Sequence, residues 1–268
     1  VSEDSRLIKI GHASLEVFDT LDQATTDMEK LADLGCHMLA GTESGDVARK
    51  VRLAEVLRDE GYRVFFPAQT DGWIAVKRNM VHLDWDPKYT PIIPSSGAIN
   101  DPHPHDERGV VQVSWRHDTL GRITFLTSHY LTLGRFPDQA RRDDPRCHVD
   151  HVMWNKRLAN QLSQAAIRGS GRDDARGISF VTADTNLDDS ITDPFFGKPL
   201  TTCWDELQKW PDTGHGPIDV IASVDNDGRV KCQSAKAVTD RDIHLATDHY
   251  PIVAQYRIKK IPTRKAAR

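Results

Sequence analysis

The sequence predicts an α+β sandwich, with sheets packed together and helices covering their outer faces. Strand-like runs arrive in groups with helices between the groups, so the regular strand and helix alternation of a doubly wound sheet is missing over long stretches. With 38% hydrophobic residues, 28% charged residues and six Trp, the composition is that of a globular chain with a sizeable core. The 268 residues exceed a typical domain but suit one large layered unit, so a single domain over 1–258 followed by a basic tail at 259–268 is expected.

Each element has a local reason. Residues 6–18 read as an opening strand, and 20–35 as a helix with apolar positions at helical spacing and Gly35 as its stop. A short apolar strand at 37–43 follows. Ser44 is then placed to cap a helix that runs to Gly61. Strands are expected at 62–67, 72–78, 110–116 and 122–130, whereas the Pro-rich, polar stretch 86–109 reads as a long surface loop. A helix is predicted over about 148–167, a strand at 177–184, a short helix near 203–210, and strands at 217–224, 229–238 and 250–258.

Polar residues recur where these strands end. Glu43 closes the second strand, His129 closes 122–129, Asp184 closes 177–184 with Asn186 two positions on, Asp219 opens 219–224, and Asp248 and His249 precede the last strand. Successive strand side chains alternate faces, so Asp184 and Asn186 are expected on the same one. A single acid at a strand end is ordinary, because that is where chains meet water. Repetition with acid, imidazole and amide side chains is the parts list of metal-assisted phosphoester hydrolysis. Oxygen ligands such as Glu43 and Asp248 suit Mg²⁺ or Mn²⁺, which neutralise charge on phosphoryl oxygens that bare carboxylates would repel.

The formal charge of -4 argues against a protein that coats nucleic acid indiscriminately, although an acidic metal site itself adds to that deficit. Basic runs at 135–146, 168–176 and 257–268 are either solvated faces or a phosphate-contacting rim, and Arg135, Arg141 and Arg142 are the candidates for gripping substrate. Cys36, Cys147, Cys203 and Cys232 are scattered and read as free thiols. No apolar stretch is long enough to span a membrane, so a soluble, cytoplasmic protein is expected, although a leader removed on maturation would leave no trace. His148 and His151 lie three apart but lack further zinc ligands, the 103–107 cluster reads as turn chemistry, and Trp73, Trp115, Trp154, Trp204 and Trp210 read as core or sheet cover.

The motifs, in order, resemble those of the endonuclease/exonuclease/phosphatase superfamily, which includes the DNase I-like and exonuclease III-like nucleases. "LAGTES" resembles the segment with the metal-binding glutamate, "FLTSHY" the strand ending in the site histidine, "VTADTN" the family's "GDFN", "PIDVIAS" its aspartate strand, and "ATDHYPIV" its C-terminal "SDHxPv". The resemblance covers about residues 7–257 and implies a four-layered α/β/β/α sandwich with the site at one edge of the paired sheets. It implies that Glu43 and Asp248 hold a divalent metal, Mg²⁺ or Mn²⁺. Asp184 would orient or deprotonate the attacking water and Asn186 donate to a phosphoryl oxygen. His249 would contact the phosphate or transfer a proton while Asp219 fixes its tautomer, and His129 would supply a second imidazole. The implied activity is a phosphodiesterase, a nuclease with DNA as substrate. The alternatives are a phosphatase or small-substrate phosphodiesterase of the same superfamily, and a non-catalytic binding module.

Two departures accompany the resemblance. The asparagine expected at the end of the first strand is replaced by His12 or Ser14, and spacing favours Ser14 as the group organising the metal. Ala183 and Thr185 stand where the family has glycine and an aromatic.

Overall fold

Two six-stranded sheets form the body of the protein, ordered β11-β12-β1-β2-β4-β3 and β5-β6-β7-β8-β10-β9. They are seen in a computed structural model that describes residues 5–15, 20–99, 106–131, 145–171, 177–186, 200–207, 219–224, 227–239, 242–243, 245–247 and 249–261. The first half of the chain supplies β1 (Ser5–Ser14), α1 (Leu21–Asp33), β2 (Met38–Thr42), α2 (Val47–Asp59), β3 (Tyr62–Phe65), β4 (Trp73–Lys77), β5 (Leu83–Ile93), α3 (Ser96–Ile99), β6 (Arg108–His117) and β7 (Gly121–His129). The second half supplies α4 (Pro145–Gly169), β8 (Ile178–Asp184), β9 (Thr201–Thr202), α5 (Cys203–Leu207), β10 (Asp219–Val224), β11 (Val230–Ala237) and β12 (Ile252–Lys259).

The predicted layers are present. Ile8, Ile10, Met38, Ile74 and Val76 of the first sheet share a buried cluster with Val113, Trp115, Phe125, Ile178 and Phe180 of the second. On the outer face of the first sheet, Met28, Leu31, Leu53 and Leu57 of α1 and α2 pack with Leu39 and Ala75. On the outer face of the second, Leu158, Leu162 and Ala166 of α4 pack with Leu126, Val181 and Val220. Each large aliphatic side chain so buried contributes about 1.5–3 kcal/mol. Trp73, Trp115 and Trp204 are fully buried, and Trp154 is half-buried with the Arg157 guanidinium 4.8 Å from its ring centre. Cys36, Cys203 and Cys232 are buried free thiols.

Helix ends follow local chemistry. Thr20 and Gln23 form a capping box at α1, the Thr20 hydroxyl accepting from the Gln23 amide at 3.2 Å. Asp46, not Ser44, caps α2: its Oδ1 accepts from the Arg49 amide at 2.8 Å. Ser44 lies two residues too early, and its hydroxyl instead donates to the Asp71 carbonyl at 2.6 Å. Gly35 and Gly61 end these helices with φ of +65° and +82°.

Part of the stretch expected as a loop over 86–109 is strand, 86–93 belonging to β5 and 108–109 to β6. β5 pairs antiparallel with β6 along Leu83–Ile93, with register shifts at both ends, and Arg108 already belongs to β6. Pro87 and Pro91 gave the misleading signal. Both are tolerated because β5 is an edge strand, with an unpaired side on which a missing N–H costs nothing. At the other end of the chain β12 continues through Lys259, and the Ile261 amide donates to the Thr119 carbonyl at 2.9 Å.

Candidate active site

Strand alternation carries the inter-sheet core directly into a polar pocket. On β1, Ile8 and Ile10 lie between the sheets, and the next residues of the same parity are His12 and Ser14. On β7, Ile123 and Phe125 lead to Thr127 and His129; on β8, Ile178 and Phe180 lead to Thr182 and Asp184. Asp219 shares the parity of the buried Ile221 on β10. Register then aligns the ends, His129 opposite Asp184 and Asp184 opposite Asp219. Gly41 lets β1 and β2 close up beside the site: a Cβ there would lie 1.9 Å from the Ala13 carbonyl oxygen.

Of the predicted residues, Ser14, Glu43, His129, Asp184, Asn186, Asp219 and His249 are described, and they lie near one another. His129 Nε2 lies 3.5 Å from Asp184 Oδ2, and the Ser14 hydroxyl donates to that oxygen at 3.4 Å while also bonding Thr42 Oγ1 at 2.9 Å. His249 Nδ1 lies 2.9 Å from Asp219 Oδ2. Ligand atoms of Asp184, Asp219 and His249 all fall within 4.8 Å of one another. Glu43 is half-buried beside Asp184, Asp71 and His129.

Asn186 reaches the site by a route that strand alternation does not describe. β8 stops at Asp184, and Asn186 has φ +50°, with its amide donating to Asp184 Oδ1 at 3.1 Å in an Asx-type turn. One N–H of its side chain donates to the Tyr130 carbonyl at 3.1 Å. Glu43 is also left-handed, at φ +58°. Such backbone costs a non-glycine residue of order 1 kcal/mol, so both turns are held by their surroundings.

Two further site residues escaped the sequence analysis. Asp71 precedes β4 at a strand end like the others, a signal that was open to reading. Its Oδ2 lies 2.8 Å from His129 Nδ1 and also takes the Arg108 guanidinium. Arg108 was hidden because it begins β6 inside the stretch taken for a loop. His12, weighed against Ser14, joins it in the pocket, with Nε2 at 3.1 Å from Asp219 Oδ1. Asp248, Arg135, Arg141, Arg142, Trp210, His103 and His105 lie outside the described residues, as do the side chains of Cys147, His148 and His151.

Electrostatics separate the acids. Burial opposes ionisation of Asp71, but Arg108 and His129 more than offset it and hold the carboxyl well below its usual range. Asp219 is buried too, and hydrogen bonds from His12 and His249 hold it low. Burial pushes Asp184 up, with the neighbouring Asp219 charge adding to the effect against His129. Burial and Arg108 oppose the charge on His129, yet Asp71 and Asp184 raise its pKa overall. Desolvation pushes Glu43 up to about 7, with Asp184 and Asp71 reinforcing it against His129 and Arg108. The folded state therefore holds the Glu43 proton longer than the unfolded chain, and stability from this group is full below 4.5 and lost as pH rises to about 7. In EDTA, Glu43→Gln should raise the melting temperature at pH 8 and leave it nearly unchanged at pH 4.5, as differential scanning fluorimetry would read. An equal shift at both pH values would contradict the assignment.

Comparison with known proteins places this geometry in a wider group. No protein-family profile matches the chain, and no curated protein matches its sequence. Solved structures do match. Zebrafish (D. rerio) TDP2 complexed with single strand DNA product superposes with a TM-score of 0.68 at 14% identity, over 93% of this chain and 98% of that one. An endonuclease/exonuclease/phosphatase family protein from Bacteroides thetaiotaomicron gives 0.64 at 10% identity, over 95% and 99%. The mannosyl-6-phosphatase Bt3783 of the same organism gives 0.64 at 13% identity, over 93% and 99%. The chain has the endonuclease/exonuclease/phosphatase fold. The four-layered sandwich expected from the motifs is thus the observed one. Within the endonuclease/exonuclease/phosphatase fold of this chain, the first sheet supplies His12 and Ser14 from β1, and His249 precedes its strand β12; the second supplies Arg108, His129, Asp184 and Asp219. Among the described residues no helix is long and apolar enough to cross a membrane.

Proposed function

We propose that the protein is a divalent-metal-dependent phosphodiesterase that hydrolyses nucleic acid, with DNA as substrate. The observation that carries this reading is the convergence of Asp184, Asp219 and His249 within 4.8 Å, with Glu43 and His129 alongside. Glu43, Asp71, Asp184 and Asp219 bring four carboxyl groups into one region, and Arg108 is paired with Asp71. The excess of acid fits a hard cation. Glu43 and Asp248 would hold it, with Ser14 organising their end of the pocket. A bound divalent cation supplies charge neutralisation at the phosphoryl oxygens.

The chain's own residues account for the remaining chemistry. Asp184, kept basic by burial, orients the attacking water and accepts its proton. Asp219 is acceptor-only when ionised, so the Nδ1 of His249 carries hydrogen toward it, and Nε2 would be the ring atom that contacts the phosphate. His129, favoured as a cation by Asp71 and Asp184, adds positive charge where negative charge develops. Asn186 keeps one side-chain N–H for a phosphoryl oxygen. The DNA product named with zebrafish TDP2 supports the nucleic-acid substrate. A phosphomonoester substrate is the second reading, favoured by the mannosyl-6-phosphatase among the similar structures.

Hydrolysis of plasmid DNA, abasic duplex and small phosphoesters, each with Mg²⁺ and with EDTA, tests both readings. Cleavage of DNA that EDTA abolishes is expected. Turnover of small phosphomonoesters alone would favour the second reading, and no Mg²⁺-dependent hydrolysis at all would sink both.

A further inference from the structure

The geometry points to His12 as a positioning residue that locks the Asp219 carboxylate from its second oxygen and thereby holds the His249 ring for phosphodiester hydrolysis. The role in turnover rests on the phosphodiesterase reading above. The hydrogen-bond arrangement itself does not.

Asp219 belongs to the second sheet, and both of its oxygens are engaged from the first. Oδ2 meets His249 Nδ1 at 2.9 Å, just ahead of β12, and Oδ1 meets His12 Nε2 at 3.1 Å on β1. A carboxylate held through one oxygen can swing about its terminal torsion, which is broad and soft. Held through both, it has one plane. An ionised carboxylate only accepts, so each facing ring nitrogen must carry hydrogen: Nδ1 on His249 and Nε2 on His12. That assignment fixes the orientation of the His249 ring, with Nδ1 toward Asp219 and Nε2 on its other side.

His12 itself is poorly built to move protons. Its side chain is fully buried, against 13% exposure for His249, and its other ring nitrogen, Nδ1, is buried with no hydrogen-bond partner among the described residues. Proton traffic through His12 would need a partner at Nδ1. Holding Asp219 does not. A buried, half-satisfied imidazole costs stability, which an apolar side chain of similar size would avoid. The bond to Asp219 gives the ring a use that packing alone does not.

Two variants and one spectrum test this. His12→Leu fills the space without a donor, and His12→Gln places an amide N–H near the Nε2 position. Outer partners of a site residue typically matter by 10- to 100-fold, so His12→Leu should lower kcat by about that much with KM within about twofold. His12→Gln should recover all but about fivefold of it. Nitrogen-15 NMR of wild-type protein with ring-labelled histidine should show an exchange-protected Nε2–H tautomer that disappears in His12→Gln. Wild-type kcat in folded His12→Leu would overturn the positioning role, and an Nδ1–H tautomer for His12 would overturn the hydrogen bond. If wild-type protein hydrolyses no phosphoester, the phosphodiesterase reading is lost, and the tautomer still decides whether two imidazoles share Asp219.

Discussion

Asp184→Asn should lower kcat by about 10³- to 10⁴-fold, near the upper end of what a single proton-transfer group contributes. The substitution is nearly isosteric and changes one property. Asn retains a carbonyl oxygen for the Asn186 amide, which donates to Asp184 Oδ1 at 3.1 Å, so the turn at the end of β8 survives. It cannot take a proton from water. Burial already disfavours the Asp184 charge, so a neutral amide should leave the melting temperature unchanged or higher. Loss of turnover with a stable fold and KM within about threefold would locate the defect in the reaction step rather than in binding. A folded variant that still turns over at more than about one tenth of the wild-type rate would remove water activation from Asp184.

His249→Ala should cost a similar factor, about 10³-fold or more, for a different reason. In the proposed mechanism the imidazole links Asp219 to the phosphate, and its removal deletes that link. The His249 side chain is 13% exposed whereas Asp219 is 1%, so a path exists for a small molecule to the emptied place but not to the acid behind it. Added imidazole should therefore restore part of the activity of His249→Ala, measured as rate against imidazole concentration, and should not rescue Asp219→Ala. Rescue of both variants, or near-full activity without imidazole, would argue against this arrangement. The variant also leaves Asp219 Oδ2 without its partner in a buried place, so a modest fall in melting temperature is expected.

Much of the fold was legible because strands covered on both faces read as short continuous apolar runs bounded by turn residues. Ile8, Ile10, Phe125 and Phe180 lie between the sheets, and the same parity leads on to His12, His129 and Asp184. The pocket was legible for a related reason: acids and imidazoles at strand ends break an apolar pattern, and neighbouring strands align those ends. β5 was not legible. Its prolines and polar residues carry the signature of a loop, and only its place at the margin of the sheet makes them compatible with a strand. Arg108 was lost with it, and so was its pairing with Asp71, since an ion pair spanning 37 positions leaves no local trace. Asn186 is expected beside Asp184 from strand alternation, but a turn brings it there, the Asp184 side chain accepting from the Asn186 backbone amide two positions on.

The prolines of β5 have a bearing on how molecules of this protein meet one another. Pro87 and Pro91 are four residues apart in a strand that, among the described residues, pairs with β6 only, so both turn their missing donors toward the same, outward side. A second chain trying to zip onto that rim would find gaps in the row of amides it must bind. β5, the longest edge strand among the described residues, should in this way resist templating fibrils, and because the protection resides in the backbone rather than in surface charge it should persist at high salt.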